Sequence, residues 1–204
     1  MPKVVPEYKE DAKRRIIEAA MDVIAERGCD GMTIDDVAKK IGVTKGAVYW
    51  YFSTKEELMS AVLNAIQAEI RQVTYESFYN KPTEDLLVQM FDRFAIADIK
   101  KRAVFFEMFS LASRNSQVRH ATREYYDGLV ATFEEAIVRE KKRNFTQTQA
   151  DPHHLALLLA ALYSGLQNYD RVWMHQNEIQ DLWKEGVRIL LKSTYAGTYG
   201  EKNP

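Results

Sequence analysis

The chain has 204 residues, 28 basic against 29 acidic, and a formal net charge of −1. Hydrophobic residues make up 46% and charged residues 28%, a globular balance that excludes wholesale disorder. A single cysteine excludes an intrachain disulfide framework and a Cys-rich zinc module, and 5 Pro with 9 Gly favour long helices over a many-turned β-sandwich.

The first predicted element is a helix over residues 7–28. Ile17, Ala20, Met21, Ile24 and Ala25 recur there at the helical period, and Gly28 follows as a stop. No basic-then-apolar leader precedes it, since Val4-Val5 runs into Pro6 and Glu7, so a cytoplasmic location is expected. Thr33 is the expected N-cap of a two-turn helix with Ile34, Val37, Ala38 and Ile41 on one stripe and Asp35-Asp36 at its positive end. Gly42 ends it. Thr44 caps the next helix, over 45–52, and Ser53 with Glu56 forms a capping box opening a helix to about residue 75.

Asn80-Lys81-Pro82 breaks the pattern, and Thr83 is the expected cap of a helix over 84–98. Lys100, Lys101 and Arg102 lead into a Phe-rich helix over 103–114, followed by a break at Asn115-Ser116. A long helix to 143 carries Tyr126, Leu129, Val130, Phe133 and Ile137 on one face. A polar loop over 144–151, helices over 152–174 and 178–195, and a mobile tail over 196–204 complete the chain. The class is all-α. The longest run without Asp, Glu, Lys or Arg, 152–169, holds His153, His154, Ser164, Gln167 and Asn168, so it reads as a buried helix rather than a membrane span, and no membrane partner is expected.

Charge distribution says more than the sum. No acidic residue falls between Asp36 and Glu56, while Lys39, Lys40, Lys45 and Lys55 do, a local positive window suited to a phosphate footprint. Inside it, residues 33–58 read TIDDVAKKIGVTKGAVYWYFSTKEEL. Two short helices joined by a Gly42-Val43-Thr44 turn, held by Val37, Ala38, Ile41, Val43 and Val48, have the rhythm of a helix-turn-helix. Eight helical residues span about 12 Å, a length that fits a major groove about 12 Å wide. The second helix offers Lys45, Gly46, Ala47, Tyr49, Trp50 and Tyr51. Its small residues allow close approach, the tyrosine hydroxyls and Lys45 are donors, and Thr33 and Thr44 stand at helix N-termini that bind phosphate.

Residues 12–58 resemble the amino-terminal DNA-binding domain of the TetR family of bacterial and archaeal transcriptional repressors. Gly28, Thr33, Val37-Ala38, Gly42-Val43-Thr44, Gly46, Val48-Tyr49, Tyr51-Phe52 and Lys55 to Leu58 stand at the family's spacing without a gap. Cys29 replaces a usual aromatic and Ile41 a frequent alanine, neither at a groove-facing position. The resemblance implies a three-helix DNA-binding domain over 1–58, a helical regulatory domain over 59–204, and a backbone phosphate contact from Lys55.

Beyond Leu58 the likeness is architectural, and it implies effector binding and dimerisation. Small residues between Leu158 and Tyr169, and the apolar spacing of the last helix, suit a four-helix interface made by two chains. Its expected members are Leu158, Leu162, Gly165, Tyr169, Trp183, Val187 and Leu190, with Tyr195 beyond. An apolar effector pocket is expected from Phe91, Phe94, Phe105, Met108, Phe109, Tyr126, Phe133 and Gln167, with Glu107, Asn168 and Trp173 as further polar or stacking candidates. His153-His154 point about 100° apart on a helix and do not chelate together; no metal or cofactor is expected. Cys29 is read as a small buried hydrophobe rather than a redox sensor, and Asn144-Phe145-Thr146 as a sequon without meaning inside a cell.

The expected function is therefore that of a ligand-responsive regulator, a repressor, binding double-stranded operator DNA as a homodimer and released by a small hydrophobic or aromatic effector. It is not an enzyme, since no catalytic constellation is present. A helical carrier or enzyme, and an effector-independent activator, are the alternatives.

Overall fold

The computed structural model describes residues 6–78, 82–142 and 148–192. The described residues form α1 (Pro6–Gly31), α2 (Ile34–Ile41), α3 (Lys45–Tyr51), α4 (Lys55–Phe78), α5 (Thr83–Met90), a π-helical segment (Phe91–Ile96), α6 (Ile99–Ala112), α7 (Ser116–Lys142), α8 (Pro152–Val172) and α9 (Gln176–Lys192), and no strand. The class is all-α, as expected. The expectations at Asn80-Lys81, Arg143, Asn144-Phe145-Thr146, Tyr195 and the 196–204 tail fall outside the described residues. Packing divides the chain into two compact units, Met1–Glu69 with Asp98–Tyr125 and Ile70–Ala97 with Tyr126–Pro204.

In the first unit, Ile16, Ala20 and Ile24 of α1, Val37 of α2, Leu58 and Val62 of α4 and Val104 and Met108 of α6 are all buried. α1 is interrupted at Gly28, whose φ of 74° a side chain rarely adopts. A Cβ there would also stand 2.8 Å from Glu107 Oε2. That carboxylate accepts the Cys29 N–H at 3.1 Å. Lys100 to Asp22 (2.6 Å) and Arg114 to Asp30 (2.5 Å) fasten α6 along α1. Glu107, expected as a pocket contact, instead closes the corner that ends α1.

In this unit two helix starts differ from expectation. α6 begins at Ile99 because Asp98 accepts the Lys101 N–H at 2.9 Å, so the basic cluster lies inside the helix. At α4 the capping box sits one residue later. Thr54 accepts the Glu57 N–H at 3.0 Å, and Glu57 accepts the Ser53 N–H at 2.7 Å. Ser53-Thr54 and Glu56-Glu57 are doublets, so two registers satisfy the same pattern.

In the second unit Thr83 is the first residue of α5 rather than its cap. Its hydroxyl donates to Glu140 Oε2 at 2.8 Å and its N–H to Glu140 Oε1 at 3.3 Å, so a buried carboxylate of α7 closes that helix end. The helix expected to run to 98 widens into a π-turn after Met90, with Ala97 N–H donating to Asp92 O at 2.9 Å. The wider turn buries Phe91, Phe94, Ala95 and Ile96. Trp183 of α9 stacks on Phe91 at 4.9 Å with planes 13° apart, donates its Nε1–H to Leu87 O at 2.9 Å, and meets Tyr163 and Phe133 edge-on or tilted. α8 opens on Asp151, which accepts the His154 N–H at 3.0 Å, with Pro152 first in the helix. Gly186 lets α9 approach α8: a Cβ would stand 2.4 Å from Leu162 Cδ2.

Candidate nucleic-acid interface

The site is assembled by two caps and one left-handed glycine. Thr33 Oγ1 accepts the Asp36 N–H at 3.1 Å and donates to Asp36 Oδ2 at 2.6 Å, which holds that carboxyl below its ordinary range. Gly42 (φ 71°, ψ 34°) turns the chain after α2, and the Val43 N–H donates back to Ala38 O at 3.0 Å. Thr44 Oγ1 then accepts the Ala47 N–H at 3.2 Å and starts α3.

α3 is anchored by one fully buried side chain, Val48, with Phe52 buried just past its end. Thr44, Lys45, Gly46, Tyr49 and Trp50 are exposed, while Ala47, Tyr51 and Lys55 are half-buried. Lys45, Gly46, Tyr49 and Trp50 share one face by helical spacing. Trp50 is 63% exposed, meets the Tyr51 ring edge-on at 4.7 Å, and carries the Lys9 ammonium 5.2 Å from its centroid. Lys45 Nζ lies 5.8 Å from the Tyr49 ring. At Gly46 a Cβ would meet nothing nearer than Thr44 Oγ1 at 3.9 Å, so the fold has no use for a glycine there.

Val43, expected to hold the two helices together, is 40% exposed on the turn before α3. The positive window is also weaker in space than in sequence. Lys39 pairs with Asp35 at 2.6 Å, and Lys40 with Glu26 at 2.7 Å and Asp22 at 3.6 Å. Both ammonium groups are pushed up by those hydrogen bonds. Lys55 donates to Asp30 O at 3.2 Å. Lys45 makes no ion pair among the described residues. The acids responsible lie upstream on α1 and α2, outside the window.

The residues expected to line one effector pocket are divided between the units: Phe105, Met108 and Phe109 in the first, Phe91, Phe94, Tyr126, Phe133 and Gln167 in the second. Phe109 is 52% exposed and does not share the buried face of Phe105 and Met108; that face is centred on Val104, Met108 and Leu111, which leaves Phe109 on its outer side. Phe91 and Phe133 belong to the aromatic core around Trp183. Tyr126 is half-buried against Ser164, and Tyr163 is buried against Gln167; burial pushes both phenols up. Among the described residues an open groove of about 600 Å³ runs elsewhere, over Ile17, Met21, Phe52, Ala61 and Ala65 in the first unit.

The interface expectation needs a similar correction. Leu158 and Tyr169 of α8 are exposed, and Leu162 and Gly165 half-buried. Trp183 and Val187 of α9 are fully buried in their own chain, because they sit on the side that Gly186 draws against α8. The outward apolar residues of α9 are Leu182 and Ile189, with Leu190 half-exposed. A Cβ at Gly165 would meet nothing within 4 Å. Trp173 and Asn168 do not contribute to the aromatic core; Trp173 is exposed, with Tyr169 edge-on at 5.2 Å. Cys29 is buried, and burial, followed by Glu107, pushes its thiol up to about 12, the opposite of an activated thiolate. His153 bonds Glu134 at 2.8 Å.

Family models match two stretches: bacterial regulatory proteins of the tetR family over residues 16–62, and the C-terminal part of BetI-type transcriptional repressors over 83–181. The chain belongs to the TetR family. This TetR-family protein is 38% identical to the transcriptional regulator SrpR of Pseudomonas putida over 41% of the chain, a match that spans only 39% of SrpR. It is 38% identical to the uncharacterised regulator TtgW, also of Pseudomonas putida, over 44% of the chain and 67% of TtgW. The crystal structure of FadR from Bacillus subtilis in complex with stearoyl-CoA shares the fold, with TM-score 0.74 and 19% identity over 89% of this chain and 98% of that one. The relatives are named as transcriptional regulators, not enzymes. No helix among the described residues is long and apolar enough to cross a membrane.

Proposed function

We infer that this TetR-family protein is a cytoplasmic, ligand-responsive transcriptional repressor that binds a pseudo-palindromic operator as a homodimer. The observation that carries the reading is the outward face of α3. Lys45, Gly46, Tyr49 and Trp50 are exposed together, and the fold needs none of them for its own packing. Residues 1–58 are the DNA-binding domain and 59–204 the regulatory one. Lys45 reaches a base edge, Gly46 and Ala47 allow close approach, and Tyr49, Tyr51 and Trp50 contact the groove wall. The Thr44 hydroxyl accepts in its cap and keeps its proton for a phosphate. Thr33 has already given its proton to Asp36 and contributes less. Lys55 meets the backbone with the donors that Asp30 leaves unused.

The dimer forms through Leu158, Leu162, Gly165 and Tyr169 of α8 with Leu182, Ile189 and Leu190 of α9. The effector is small and largely apolar, recognised through uncharged groups such as Tyr126 and Gln167. It acts only by binding the DNA-incompetent state more tightly.

The test is selection of binding sites from a pool of random-sequence duplexes, then gel shifts at varied salt with a panel of apolar and aromatic compounds. Enrichment of an inverted repeat bound tightly and released by one compound class is expected. Recovery of no sequence sinks the regulator reading; a repeat that no compound releases sinks the ligand half alone.

A further inference from the structure

Lys9 lies near the start of α1, and its ammonium stands 5.2 Å from the centre of the Trp50 ring. Such a cation–π contact holds an otherwise flexible side chain in place. The neighbouring acids are engaged elsewhere: Glu10 with Lys13 at 3.9 Å, and Asp11 with Arg14 at 2.5 Å. Among the described residues no carboxylate pairs with Lys9. A charge that no described carboxylate neutralises is thus held against the most exposed aromatic of α3.

A helix with its side chains is about 10–12 Å across and fills a major groove about 12 Å wide. A cation stacked outside a side chain of that helix therefore stands at the groove wall, where the phosphates run. We propose that Lys9 is a DNA-backbone contact delivered by α1 beside the recognition helix, with the Trp50 indole as the platform that positions its ammonium. The proposal rests on the reading of α3 as the DNA-facing helix. Because a phosphate contact carries no base information, Lys9 adds affinity and salt dependence, not sequence preference.

The experiment compares wild type, Lys9→Gln and Lys9→Arg on the selected duplex and on a scrambled one, each between 50 and 200 mM salt. Lys9→Gln removes one contact from each protomer of the dimer, so it should flatten the slope of log affinity against log salt by about 1.8, and its affinity loss should be about twelvefold larger at the low-salt end, equally on both duplexes. Lys9→Arg should restore the slope, and all three proteins should melt together. A wild-type slope in Lys9→Gln, or a loss confined to the selected duplex, overturns the proposal while leaving α3 in the groove. Failure of the wild type to bind either duplex overturns the α3 reading, and this proposal with it.

Discussion

Trp50 and Trp183 are the same residue type, and they have opposite environments. Trp50 is 63% exposed; Trp183 is 1% exposed, stacked on Phe91 and hydrogen-bonded to Leu87 O. The glycines repeat the contrast: Gly186 is required by Leu162, whereas Gly46 and Gly165 face open space. Around Trp183 the second unit uses its aromatic and small residues in its own core. Around α3, and along the outer side of α8, the same residue types are left for something outside the chain. A large aromatic or a glycine that the fold does not need is a better mark of an interface than residue type alone.

The largest effect should come from breaking the inward side. Trp183→Ala should cost about 3–5 kcal/mol, read by denaturant unfolding. Trp50→Ala should stay within about 0.5 kcal/mol of wild type and lose DNA affinity instead. Comparable stability losses at the two sites would erase the comparison. Next comes the glycine pair. Gly186→Leu should overpack against Leu162 and cost about 1–3 kcal/mol. Gly165→Trp should keep the helical content of the chain while shifting sedimentation from dimer to monomer, and its melting temperature should lose the concentration dependence that dimerisation gives the wild type. A wild type that sediments as a monomer yet binds its operator tightly would remove the interface argument.

Two lysines sharpen the outward side. Lys45→Ala should cost about 1–3 kcal/mol on the selected operator and less on altered ones, relaxing one position of each half-site. Lys55→Ala should weaken every duplex alike and lower the salt slope by about two contacts, one from each protomer of the dimer. The reverse assignment of effects would mean that α3 is misplaced. Smaller still, Thr44→Ala should remove a cap worth about 0.5–2 kcal/mol to α3.

The mildest probe is pH. Folding keeps the Cys29 proton to about 12, above the ordinary thiol value of about 8.5. Its contribution is therefore complete below about 8.5, and declines as pH rises from there towards about 12, because the unfolded chain ionises first. Urea midpoints at pH 7 and 10, compared with those of Cys29→Ala, measure it. Rapid alkylation of the folded protein at pH 8 would contradict it.

The all-α class, the paired short helices and the caps at Thr33 and Thr44 are legible in the residues, because caps, helical period and left-handed glycines act within one or two turns. The outward face of α3 follows from the same local rules, and Lys45, Gly46, Tyr49 and Trp50 are exposed on it. What is not legible needs a distant partner. Glu107 is matched to Cys29, 78 positions away, and Glu140 to Thr83, 57 positions away. Lys40 looks unopposed until Glu26 and Asp22 of α1 meet it, whereas the Asp35–Lys39 pair is a local one, four residues apart on α2. Trp183 and Val187 lie on an apolar stripe that has two plausible sides, and the sequence alone points them outward. Periodicity says that α9 has an apolar face; only the approach of α8 at Gly186 decides which part of that face is buried inside the chain, since close packing is a property of two surfaces together.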